Sequence, residues 1–152
     1  MGIKKDKPRE LALMTLVSLD KTGVYTGNYL DDIFNSNPGY DERDRAFISN
    51  LIQGVIRWRL RLDWIIGGFS KTPVKKIDRV IINILRLAVY EMCLDCHVPA
   101  SVVINEALEI ARRYSTDDSV PFINGILDSM RKNIGNGEGE EEAGDVQGDS
   151  GE

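Results

Sequence analysis

Ile84-Leu85-Arg86-Leu87-Ala88-Val89-Tyr90-Glu91 lies in the middle of the chain and decides its fold class. Together with Ile77, Val80 and Ile81 before it and Met92 after it, the run repeats an apolar residue every three or four positions. That is one broad face of a long helix. Thr72-Pro73 reads as its N-cap and first residue, and the helix is expected to end near Asp95. Arg86 and Glu91 break the apolar run with charge. Arg86 reads as a structural charge bonded inside a helical core, and Glu91 as an interface residue.

The same periodicity extends to both sides. Pro8 opens a helix to about Asp20, with Leu11, Ala12, Leu16 and Leu19 inward. A short helix with Leu30, Ile33 and Phe34 ends before the turn Asn37-Pro38-Gly39. Asp41 caps a helix carrying Phe47, Ile48, Leu51, Ile52, Val55 and Ile56. Arg57 to Trp64 continues it or begins the next, which stops at Gly67-Gly68. Pro99 opens another helix. Ser115 and Asp118 then resemble a capping box before a last helix with Phe122, Ile123, Ile126, Leu127 and Met130, terminated by Gly135. No segment alternates with period two. The expected fold is all-α: about seven helices in a compact bundle of two helical subdomains. Residues 1–8 form a basic flexible arm, 9–134 the helical domain and 135–152 a disordered acidic tail.

Charge is segregated along the chain. The 152 residues carry 19 Lys and Arg against 24 Asp and Glu, a formal −5. Seven of the acids lie after Gly135, which leaves residues 1–134 at about +2. No apolar run reaches the roughly 18 residues that span a membrane, and the basic N-terminus lacks the apolar core of a signal peptide. The expected location is cytoplasmic, with the tail as a solvated appendage.

Candidate chemistry is sparse. Cys93-Leu94-Asp95-Cys96-His97 spells the C-x-x-C-H of haem attachment, but that chemistry requires export. Zinc would want a fourth ligand, and the chain holds two Cys and one His. No nucleophile elbow or Gly-rich phosphate loop is present. The chain is expected to be no enzyme and to need no metal or cofactor. Asn105 and Glu106 read as a buried polar network between helices. Asn124 fits either packing or a base edge. Trp58 and Trp64 are expected in the core, as Trp usually is. Lys4, Lys5, Lys7 and Arg9 have no core to serve and fit phosphate binding.

Taken together, Ile84–Glu91, Val98-Pro99, Ile104-Asn105-Glu106-Ala107 and Phe122–Leu127 resemble the NusB family of transcription antitermination factors, over nearly all of residues 9–134. The resemblance implies a non-catalytic protein that binds the boxA element of rRNA leader transcripts together with the ribosomal protein NusE. Such a factor supports processive rRNA transcription by the RNA polymerase elongation complex, with other Nus factors. It further implies RNA contacts at Lys5, Lys7, Arg9, Phe69, Asp118, Phe122 and Asn124, and it leaves self-association into a homodimer open. Here Ile81-Ile82 stand where charged residues are often found. Asp41–Arg45 and Gly54–Trp64 also resemble the N-terminal RNA-binding domain of Sun/RsmB-type rRNA cytosine-5 methyltransferases. That gives an alternative expectation: a relative of this domain without its catalytic partner.

Overall fold

The computed structural model describes residues 6–25 and 27–144, with side chains described to Ile134. Among these residues there are seven α-helices and no strand. They are α1 (Pro8–Thr22), α2 (Tyr29–Ser36), α3 (Glu42–Arg57), α4 (Arg59–Gly67), α5 (Arg79–Val89), α6 (Ala100–Tyr114) and α7 (Ser119–Gly144). In α5, Ile82 to Val89 are all buried, as expected of a helix enclosed on every side. One group of helices, α1 and α3, packs on α5 from the N-terminal half, and α6 and α7 pack on it from the C-terminal half. The two groups share one continuous core, from Leu11, Leu13 and Ile48 through Leu85 to Ile123, Leu127 and Met130.

Local signals set most helix ends. Pro8 occupies the first turn of α1, and Lys7 N–H donates to Glu10 at 3.1 Å. Gly23, at φ +74°, closes the same helix by donating to Leu19 O, a conformation that strains any residue with a Cβ. Asp41 caps α3 by accepting from Asp44 N–H at 2.8 Å.

Two expectations are corrected, the start of the central helix and the end of the last one. The central helix does not start at Thr72-Pro73. Ser70 and Thr72 close a small turn, Val74–Lys76 form one 3-10 turn, and Ile77 is extended. Asp78 then caps α5 by accepting from Val80 N–H at 3.0 Å and Ile81 N–H at 3.4 Å. Its other end lies near Asp95 as expected: α5 passes at Tyr90–Leu94 into a π-helical turn, in which Asp95 N–H donates to Tyr90 O at 2.9 Å. Finally, α7 runs through Gly135 to Gly144. Gly lowers helix propensity without ending a helix unless the chain turns left-handed there, and Glu140-Glu141-Glu142-Ala143 are good helix formers.

A charged network crosses the core beside α5. Arg86, 7% exposed, holds Asp63 of α4 with two bonds of 2.7 and 2.9 Å and reaches Asp20 of α1 at 3.3 Å. Asn83, 1% exposed, donates to the same Asp20 and accepts from Arg86. Arg86 is therefore the structural charge its setting suggested. Asn83, the second buried polar group of this run, is the part of the network that periodicity did not reveal. Burial works against the charge on Arg86, but Asp63 and Asp20 outweigh it and hold the guanidinium protonated above its ordinary range.

Candidate nucleic-acid interface

The first helix begins with a basic sequence, but its two described cations have different settings. Lys7 is exposed at the N-cap of α1. Arg9 is half-buried: its Nε and Nη2 each donate to a Glu91 carboxylate oxygen at 2.8 Å, and its guanidinium lies 5.0 Å over the Phe47 ring. Glu91 is 2% exposed. Arg9, expected on RNA, and Glu91, expected at a partner surface, are thus paired with each other. A buried carboxylate cannot be left unpaired, so Glu91 takes the fork of Arg9 and locks α1 to the end of α5. The bond to Glu91 raises the Arg9 pKa above its ordinary value, against the opposing effect of burial. Lys4 and Lys5 lie outside the described residues.

The start of α1 is brought beside the end of α6. Glu10, buried although acidic, accepts from Arg113 at 3.2 Å, and Tyr40 hydroxyl donates to Asp6 O. Arg113 is half-exposed and 5.4 Å from the Tyr114 ring. Neither Glu10 nor Arg113 was singled out from sequence, because their partnership spans 103 residues. From Tyr114 the chain turns into α7. The turn is closed by Ser119 Oγ–H donating to Thr116 O at 2.6 Å. It replaces the expected Ser115–Asp118 box, since Ser115 is extended at the end of α6. Asp118 stands exposed in this turn; Phe122 is half-buried on the core, and Asn124 is exposed. One end of the molecule thus gathers Lys7, Glu10 and Arg113, and α6 passes from there through the turn into α7.

Phe69 is elsewhere. It lies half-buried at the end of α4 and shares an open groove with Trp64 and Asn133. Asn133 is 11 residues beyond Phe122 on α7, about 16 Å along the axis at helical rise. The described residues implied by resemblance therefore lie at the start of α1, at the start of α7 and at the end of α4, and do not converge on a pocket. That suits an extended ligand.

Several other expectations change. Trp64 is 74% exposed and Trp58 40%, so neither belongs to the core. The core positions of α4 are Leu62 and Ile66. Asn105 is exposed and Glu106 half-exposed, so the buried polar network is Asn83–Arg86 rather than Asn105–Glu106. The Cys93–His97 segment is held by hydrogen bonds: His97 Nδ1 lies 2.7 Å from Asp95, Asn50 donates to Asp95 at 3.0 Å, and Cys96 Sγ donates to Met92 O at 3.3 Å. Burial pushes the Cys93 thiol up, the opposite of a reactive thiolate.

The NusB family model matches residues 6–132. Transcription antitermination protein NusB of Geobacter sulfurreducens is 36% identical over 127 residues, covering 83% of this chain and 92% of that protein. NusB of Trichlorobacter lovleyi is 38% identical over 133 residues, covering 86% and 91%. Among solved structures, T. maritima NusB superposes with a TM-score of 0.73 at 28% identity, covering 86% of this chain and 93% of that one. A chain in a structure of antitermination factors NusB and NusE in complex with dsRNA superposes with a TM-score of 0.76. It is 20% identical, covers 84% of this chain and 95% of that one, and speaks to the fold alone. With a family model spanning the folded helices from α1 into α7, and relatives matched over nearly their whole length, this chain belongs to the NusB family.

Proposed function

We propose that the protein is a transcription antitermination factor that binds boxA-type RNA of rRNA operon transcripts together with the ribosomal protein NusE, supporting processive rRNA transcription. The observation that carries this is the match of residues 6–132 to the NusB family, with relatives named as antitermination proteins. The likeness in fold to a chain solved with NusE and dsRNA supports the partners, and assigned residues divided between the start of α7 and the end of α4 suit an RNA strand better than a small molecule. RNA contacts are assigned to Lys4, Lys5 and Lys7 in the arm, to Asp118, Phe122 and Asn124 at the start of α7, and to Phe69 at the far end. Arg9 acts through Glu91, by fixing where the arm leaves the body. Coupling to the elongation complex through other Nus factors, absence of catalysis and a cytoplasmic location belong to the same proposal.

Mobility-shift titration of boxA RNA with and without NusE, at two salt concentrations, tests it. Binding should be tighter with NusE and selective over a scrambled RNA. Lys5→Ala with Lys7→Ala should reduce the salt slope by roughly 0.7 per lost phosphate contact. Equal affinity for boxA and scrambled RNA would overturn the reading.

A further inference from the structure

α4 carries aromatic surface that the fold does not use. Leu60 and Trp64, 77% and 74% exposed, stand one turn apart on the same side of the helix. Beside Trp64 opens a groove of about 610 Å³ lined by Trp64, Ile65, Gly67, Gly68, Phe69 and Asn133. Two flat rings border it, the glycine pair leaves backbone open between them, and no acidic side chain lines it. A cation stands beside it. Arg61 lies 5.9 Å over the Trp64 ring and is paired with no carboxylate among the described residues. The one acid of α4, Asp63, is taken by Arg86.

Charge chooses the occupant. A second copy packed through this face would set Arg61 against its own counterpart around a twofold axis. A polyanion with flat bases satisfies the rings and the cation at once. We propose that this groove widens the Phe69 contact into a base-stacking subsite for single-stranded RNA, with a further base laid on Trp64 and with Arg61 facing a phosphate. It rests on the RNA-binding reading above and adds Trp64 and Arg61 to the strand's path beside Phe69.

The experiment uses boxA RNA extended by flanking single-stranded nucleotides. In the Trp58→Phe protein, Trp64 is the remaining tryptophan, and its fluorescence should be quenched as RNA binds. In the otherwise native chain, Trp64→Ala should weaken affinity roughly 5- to 100-fold, as loss of one stacked base does, with no change in salt slope. Trp64→Phe should restore most of the affinity. Arg61→Ala should lower the slope by about 0.7. Native protein that binds the RNA while Trp64→Ala binds it equally well would overturn the subsite and leave the function standing. No binding by native protein would remove both. If Trp64→Ala instead dissolves a dimer seen by sedimentation and leaves RNA affinity unchanged, the face belongs to a second copy and the subsite is wrong.

Discussion

At the scale of single residues, two contacts decide what a side chain can do. The Arg9–Glu91 pair joins positions 82 apart in sequence, and the carboxylate is almost fully buried. Removing one member of such a pair costs about 3 kcal/mol, because the other stays buried without a partner. Arg9→Ala should therefore lower the urea midpoint markedly, and the double change to Ala and Leu at 9 and 91 should recover much of the loss. An Arg9 that served RNA alone would leave the midpoint unmoved. Gly54 is the second case. A Cβ there would overlap the ring and hydroxyl of Tyr90, which donates to Asn50 at 3.3 Å. Gly54→Ala must push that ring aside, a change of about 1–3 kcal/mol by overpacking, read as a drop in Tm. Gly54 sits inside a helical run in which propensity alone would favour Ala. Nothing local reveals the ring from Tyr90 above it.

At the scale of elements, the periodic apolar pattern was legible and the ends were less so. The capped start of α3 at Asp41 matched its signal. For α5, two start signals compete within a few residues: Thr72-Pro73 and Asp78. Asp78 prevails because its carboxylate accepts from two free N–H groups of the first turn, whereas Ser70 turns the Thr72 backbone back on itself. Asp78→Ala should cost about 1 kcal/mol, measured by chemical denaturation. Thr72→Ala should leave stability within a few tenths of that of the native chain, since its own side chain caps no helix. Along α4, Arg59-Leu60-Arg61-Leu62-Asp63-Trp64 places large apolar residues on both sides of a short helix. Which of them is buried is not legible from composition. Only the packing of Leu62 and Ile66 against α5 turns Leu60 and Trp64 outward.

At the scale of the whole molecule, Asp20, Asp63, Asn83 and Arg86 tie α1, α4 and α5 into one unit. Burial pushes the Asp20 carboxyl up, but bonds from Tyr25 and Asn83 and the charge of Arg86 outweigh it and hold the pKa below its ordinary value. The unfolded chain therefore takes up this proton first as pH falls. The stabilisation is present above about pH 4, the ordinary aspartate value, and is lost as pH falls from there through the lower folded pKa. Urea midpoints measured from pH 6 to pH 2 should drop across that window, and Asp20→Asn should flatten the drop. An Asn variant with the native profile would show that Asp20 carries none of it.

The sequence by itself determined the fold class, the order of the helices and the family, because apolar periodicity and embedded motifs are local and survive without coordinates. It also marked Arg86 as structural, since a lone charge in a buried run must find a partner. The tertiary structure decided which partner each charge meets: Arg9 with Glu91, Glu10 with Arg113, Arg86 with Asp20 and Asp63. It likewise decided which aromatic rings face outward along α4 and α7. Those outcomes depend on helices far apart in sequence meeting at a common core, and no local pattern encodes the distance between them.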